Sequence, residues 1–234
     1  MNPILKRTLT GLTVGAVVIA AVLFAPPAAI VPAVALVALA AVAEFVALLH
    51  RKRPRWTVGT VLAGLVGAAV ILGGLLALAQ IATGSGEATC GPFRLGNVLL
   101  LYVIAVVKFS DVGGFAFGLT SARLMKGGNH KMCPTISPNK SWEGLCGSLV
   151  ASCLVSSAFM GATGFSLAKS LVCGVTAAVV GTCGDLVESK FKRWVGVKDS
   201  STMKITNGMG GFLDMVDSLL FAPAVLILLM GASF

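Results

Sequence analysis

An all-α, polytopic integral membrane helix bundle is the fold class that this sequence predicts, and three observations predict it. Of its 234 residues, 56% are apolar and only 12% are charged, with a mean hydropathy of +0.94. A soluble domain usually has about a quarter of its residues charged. Half that fraction leaves too few charges to cover a soluble surface, which excludes a soluble globular enzyme, a disordered chain and a nucleic-acid-binding module. Apolar runs recur at close to the roughly 20 residues that a helix needs to cross the hydrocarbon. The basic residues also sort by side, with 16 of the 18 Lys and Arg in alternate segments between those runs. That asymmetry is expected of segments kept in the cytoplasm. The net charge of +9 therefore reports topology first, and no nucleic acid is expected as a partner.

The runs predict about seven spans, within a range of six to eight. The first covers roughly 8–24, and Pro26-Pro27 turns the chain into a second that ends near Leu49. A third, about 57–82, holds Gly59, Gly64, Gly67, Gly73 and Gly74; these allow close helix packing, and the run is long enough for a re-entrant break. The fourth starts near Leu95 and reaches Lys108 or beyond, the fifth lies around 145–160, the sixth around 167–183 and the seventh around 218–230.

Sidedness follows from the loops. Lys6 and Arg7 precede the first run, and Arg51, Lys52, Arg53 and Arg55 follow the second. Lys108, Arg123, Lys126, Lys131 and Lys140 follow the fourth, and Lys190, Lys192, Arg193, Lys198 and Lys204 follow the sixth; only Arg94 and Lys169 fall on the other side. The N-terminus is thus expected in the cytoplasm. The first run leads straight into the second and reads as an uncleaved helix rather than a signal peptide. The six cysteines include no CxxC pair, and Cys146, Cys153, Cys173 and Cys183 lie in or beside the spans, where free Cys acts as small apolar filler.

Seven of the nine acids, Asp111, Glu143, Asp185, Glu188, Asp199, Asp214 and Asp217, fall in or beside two of the basic segments; Glu44 and Glu87 are the others. Positive-inside sorting does not require carboxylates, and acids at membrane depth default to a functional reading. Asp214 and Asp217 are spaced i,i+3, which on a helix puts both on one face, where they can share a hard cation such as Mg²⁺. Capping of the helix by Asp214 is the alternative, but it explains only one acid. The preceding Gly210 and Gly211 leave backbone N–H groups open to an anion, although any tight turn also uses glycine. Asp185 and Glu188 repeat the spacing. Lys192 stands i+4 from Glu188 and suits an ion pair, whereas Asp185 has no such neighbour and is the better ligand candidate. Asp111 has Lys108 at i−3, and Ser110-Asp111-Val112-Gly113-Gly114 is expected to interrupt the fourth helix, as tolerated where backbone lines a wet cavity. Acids for a metal alternating with bases for phosphates at one membrane face suit a phosphate-rich substrate. A solvated loop or attraction to anionic lipid accounts for any single base.

These residues carry a family resemblance. The stretches Gly184-Asp185-Leu186-Val187-Glu188-Ser189-Lys190-Phe191-Lys192-Arg193, Lys198-Asp199-Ser200 and Gly210-Gly211-Phe212-Leu213-Asp214-Met215-Val216-Asp217-Ser218 resemble the C-terminal signature of phosphatidate cytidylyltransferases (CDP-diacylglycerol synthases). Ser110–Gly118 is similar to the family's D-x-G-A-[YF]-x-x-G, and Ile136–Gly144 to its S-P-x-K-[ST]-x-E-G. The likeness covers about 100–234. Met209 and Met215 stand where the family commonly has His and Arg, the stretch 199–208 is about two residues longer and lacks a proline, and the N-terminal half is shorter by a span or two.

The resemblance implies Mg²⁺-dependent transfer of a cytidylyl group from CTP to phosphatidic acid, in phospholipid biosynthesis. It further implies that Asp214, Asp217, Asp185 and Asp111 serve the cation, with a second cation left open. Lys198, Asp199, Lys140 and Glu143 would act at the reacting phosphates, and Lys192, Arg193, Lys190, Ser189, Gly210 and Gly211 would hold substrate. The expected organisation is an N-terminal transmembrane region over 1–92 and a catalytic transmembrane region over 93–234 with two cytoplasmic loops. The expected location is the inner membrane of a bacterium with the site facing the cytoplasm, and a homodimer is compatible with it. A CTP-dependent polyprenol or phytol kinase would use similar residues. A small membrane transporter would instead place its acids near span centres, and a degenerate, inactive relative would share the motifs that survive here.

Overall fold

The computed structural model describes residues 3–52, 58–197, 213 and 216–231. The seven apolar runs are helices in the expected order. α1 (Pro3–Phe24) and α2 (Pro27–Lys52) meet at Pro26, and α3 (Val58–Gly84) leads to a small hairpin of β1 (Thr89–Cys90) and β2 (Phe93–Arg94). α4 (Leu95–Leu124) is followed by a second hairpin, β3 (Lys131–Cys133) and β4 (Ser137–Ser141). Next come α5 (Trp142–Ala158), a single turn α6 (Met160–Thr163), α7 (Leu167–Val195) and α8 (Ser218–Met230). Among the described residues, four helices are long and apolar enough to cross a membrane: Pro27–His50, Val58–Gly84, Leu95–Leu124 and Leu167–Val195. Leu36, Leu65 and Leu228 are exposed on the outside of the bundle, the all-round apolarity of helices that face lipid. The chain is an all-α membrane bundle.

Two local expectations change. α3 is continuous, with no re-entrant break, and α4 also runs unbroken through Ser110–Gly114. The glycines there serve close contact with α5 rather than an interruption. A Cβ on Gly113 would lie 2.5 Å from both Ala151 Cβ and Gly147 O, and one on Gly147 would lie 2.4 Å from Phe117 Cβ. Keeping the helix intact leaves its N–H and C=O groups paired, as the hydrocarbon demands.

Polar contacts fix which helix ends lie together. Asn97 Nδ2 donates to Leu23 O (3.1 Å) and Ala25 O (3.0 Å), seating the α1–α2 turn on the start of α4. Lys169 Nζ donates to Met230 O (2.7 Å), so the start of α7 meets the end of α8, where a cation suits the exposed carbonyls. Tyr102 packs edge-on against Phe165 with ring centroids 5.9 Å apart, joining the two groups. Arg94 and Lys169 thus share one end of the bundle. The β3–β4 hairpin, the start of α8 and the end of α7 share the other. Between them Val103, Val106 and Val107 of α4 pack with Cys173 and Ala177 of α7 and Leu226 of α8, all fully buried. Serines join α5 to its neighbours: Ser148 Oγ donates to Ser110 O (2.9 Å), and Ser156 Oγ, which shares a hydrogen bond with Tyr102, donates to Ser170 O (2.6 Å). Such hydroxyls act as interhelical glue in lipid. Gly196, at φ +80°, ends α7, its N–H donating to Lys192 O (2.8 Å); this left-handed conformation favours glycine.

Candidate active site

Helix geometry brings the acids to one level. At 1.5 Å per residue, Asp111 lies about 24 Å along α4 from Leu95, and Asp185 about 27 Å along α7 from Leu167. Both helices start at the same end, so both carboxylates arrive at the basic end of the bundle. α8 starts there too. Asp217 caps it, accepting from Ser218 N–H at 2.6 Å. The Ser218 hydroxyl accepts from Lys108 Nζ (2.9 Å) and donates to Asp111 Oδ2 (2.9 Å), and Lys108 itself stands 3.7 Å from that oxygen. Lys140, carried in by β4, donates to Asp185 Oδ2. The other oxygen, Asp185 Oδ1, is buried and has no hydrogen-bond partner.

These groups border a cavity of about 220 Å³ whose walls include Asp111, Asp185, Lys140, Ser137, Asn139 and Thr182. The crowding of carboxylates has an electrostatic consequence at Asp217, which lies just outside the α8 span. Burial first, and then the neighbouring Asp185, raise its pKa to about 6. A site that strains against its own negative charge is one that a cation relieves.

The other site residues expected from the sequence fall into three groups. Glu143 points away from the cluster: its Oε1 lies 2.6 Å from His130 Nδ1, and both its oxygens accept from His130 N–H at 3.1 Å. The His130 side-chain bond, reinforced by backbone N–H groups, lowers Glu143 to about 2. With Trp142 N–H donating to His130 O (3.0 Å), this pins the base of the β3–β4 hairpin that presents Lys140. Arg193 braces the same hairpin from α7, its Nε donating to Ile136 O at 3.4 Å. Lys192 pairs with Glu188 Oε2 at 3.0 Å, both side chains largely buried, so the i,i+4 ion pair forms as the spacing allows. Ser189 is half-buried and Lys190 exposed, between Asp185 and Lys192 on α7. Lys198, Asp199, Gly210, Gly211 and Asp214 lie outside the described residues.

Two further polar residues with contacts at this end were not assigned from sequence. Ser218 was readable only as the residue after Asp217. Glu44, 1% exposed on α2, accepts from Leu213 N–H at 2.9 Å; its only signal was a carboxylate within an apolar helix.

The donor set suits Mg²⁺. Among the described residues no three His, Cys, Asp or Glu side chains are grouped to hold an ion by themselves. Mg²⁺ is however usually bound through one or two carboxylates together with water and substrate phosphates. Asp185 Oδ1 is a hard, buried oxygen left without a partner, which fits that pattern.

The family described as "Cytidylyltransferase family" matches residues 70–233. Over 133 residues the chain is 42% identical to the phosphatidate cytidylyltransferase of Staphylococcus saprophyticus, 43% to that of Staphylococcus haemolyticus and 41% to that of Staphylococcus aureus. Each alignment covers 56% of this chain and 48% of the relative, so the chain spans about half the length of the curated relatives it matches. Since the family match extends over well more than half of these residues, the protein belongs to the cytidylyltransferase family.

Proposed function

We propose that the protein transfers the cytidylyl group of CTP to phosphatidic acid, releasing diphosphate and leaving CDP-diacylglycerol in the membrane. The observation that carries this reading is the pairing of Lys140 with Asp185, whose second oxygen is unpartnered, in a cavity at the basic end of an apolar bundle. Such a site accepts anions from water and from lipid together. The names of the Staphylococcus relatives support the choice of reaction.

In this reaction a phosphate oxygen of the lipid forms a bond to the α-phosphorus of CTP, and the bond from that phosphorus to the oxygen bridging to the β-phosphorus breaks. The electron pair leaves with diphosphate. The attacking oxygen is already anionic, so neither a protein nucleophile nor a strong base is required. What the protein supplies is positioning and charge neutralisation. Lys140 lines the cavity and would turn from Asp185 toward an arriving phosphate. Lys108, held by Asp111 and Ser218, screens the carboxylates from the same anions. Asp185, Asp111, Asp217 and Asp214 would hold Mg²⁺, which when bound supplies screening of the phosphates and stabilisation of the leaving diphosphate. Lys190, Lys192, Arg193, Ser189 and the Gly210-Gly211 backbone would contact the substrates, and Lys198 and Asp199 would act close to the reacting phosphates.

The location that goes with this reading is a bacterial inner membrane with the basic end, and hence CTP, in the cytoplasm. Residues 93–234 then form the catalytic region and 1–92 a supporting one. The reading is tested by incubating purified protein with phosphatidic acid, Mg²⁺ and CTP labelled on the α-phosphate. Label entering the lipid is the expected result. Label left in CDP, with the γ-phosphoryl transferred to an alcohol, would indicate a CTP-dependent lipid kinase and sink the proposal.

A further inference from the structure

Glu44 is a buried acid to which the proposed reaction gives no role, and it stands in α2, outside the residues 70–233 that the family match covers. Burying a carboxylate in an apolar helix costs several kcal/mol unless it is well partnered, so its presence needs a reason. By helix rise Glu44 lies about 26 Å along α2 from Pro27, and α2 begins at the same end as α4. That is the depth of Asp111 and Asp185. Its Oε2 accepts the backbone N–H of Leu213 at 2.9 Å. Its neighbour Phe45 stacks on Phe191 of α7, with ring centroids 4.6 Å apart and planes inclined by 28°, and lies so close to Gly67 that a Cβ there would meet the ring at 2.0 Å. α2 is therefore clamped between α3 and α7 just where Glu44 reaches Leu213. Ser218, five residues on in the chain, is held by Asp111 and Lys108 through its hydroxyl. Asp217 stands between the two anchors.

We propose that Glu44 is a positioning residue that fixes the backbone at Leu213 and thereby sets Asp217 for its cation. The inference rests on the proposed function only for the identity of the reaction; the placement of the cation ligands is tested separately. Glu44→Gln keeps an acceptor for the Leu213 N–H, whereas Glu44→Leu removes it at similar volume. Each variant is reconstituted in liposomes and titrated with Mn²⁺ alone, read by electron paramagnetic resonance, and then assayed for cytidylyl transfer to phosphatidic acid. Glu44→Leu is expected to weaken Mn²⁺ binding at least tenfold and to lower kcat with little change in KM for CTP, while Glu44→Gln stays within about threefold of wild type in both, within the usual spread for a retained hydrogen bond. Leu213→Pro deletes the donor from the other side and should reproduce the loss even if Glu44→Leu fails to fold. Where both fold, the double variant should bind no worse than the weaker single one, because one shared bond has been removed. Wild-type Mn²⁺ affinity in Glu44→Leu or Leu213→Pro, equal losses in Gln and Leu variants, or additive losses in the double variant would overturn the assignment. Absence of cytidylyl transfer in the wild type, with the Mn²⁺ pattern intact, would count against the proposed reaction and leave the positioning role supported.

Discussion

Lys140 and Asp185 form the ion pair on which the charge of the cavity turns. Replacing Asp185 by Asn removes a carboxylate from the proposed cation site and leaves Lys140 without its counter-charge in a half-buried position. The expected outcome is loss of α-labelled lipid formation on the order of a hundredfold or more, the scale of removing one preorganised electrostatic contact. Lys140→Met should lower kcat comparably while raising KM for CTP, since it removes a contact to an incoming phosphate. Glu143 makes a different, pH-dependent prediction. Its pKa is held at about 2, below the ordinary 4.5, chiefly by the His130 side chain. A lowered carboxylate pKa means that the Glu143–His130 contact contributes fully above about 4.5 and is lost as pH falls toward 2. The hairpin should therefore become sensitive to protease on acidification over that window, and Glu143→Gln should remove the pH dependence. Asp111, Asp185 and Lys140 were legible as candidates, being charges where charge is costly. That Lys140 would reach Asp185, and that Glu143 would turn to His130, was not legible, because each partner is set by how a hairpin folds back across helices rather than by spacing along one.

At the level of elements, the α4–α5 contact decides whether Asp111 and Lys140 face the same cavity. Gly113-Gly114 read in the sequence as an interruption, since glycine weakens a helix and Asp111 precedes it. The same glycines in fact let two backbones approach, and sequence alone cannot tell a glycine that frees the chain from one that makes room for a neighbour. Gly147→Ala would put a methyl group 2.4 Å from Phe117 Cβ and 2.5 Å from Gly113 O, atoms of helix backbone or fixed to it that cannot swing aside. Overpacking of this kind costs about 1–3 kcal/mol, so the variant should show a lowered Tm in detergent and reduced transfer activity. Gly73→Ala is the matched control. A Cβ there meets nothing within 4 Å, and it should melt at or slightly above the wild-type temperature. Equal Tm values for the two variants would mean that α4 and α5 do not pack through Gly113 and Gly147.

For the molecule as a whole, hydropathy and charge carried most of the architecture: the apolar runs became helices in order, and Arg94 and Lys169 came together at the end opposite the acids. Composition could reveal this because lipid allows few alternatives to helices. The two hairpins were not readable, since strands of two to five residues leave no periodicity. Those hairpins supply a test of sidedness from native residues. Cys90 ends β1 and Cys133 ends β3, each partly exposed and without a disulfide, and the helix α4 separates the two hairpins. At about 1.5 Å per residue its length is about 45 Å, enough to put them on opposite faces of a bilayer whose hydrocarbon is about 30 Å thick. If the basic end faces the cytoplasm, a membrane-impermeant maleimide should modify Cys90 in right-side-out vesicles and Cys133 in inverted ones, as read by mass spectrometry of the labelled peptides. Labelling with the two cysteines exchanged would reverse the orientation. Labelling of both from one face would mean that α4 does not span, and the acids it carries would then have to meet lipid phosphate by another route.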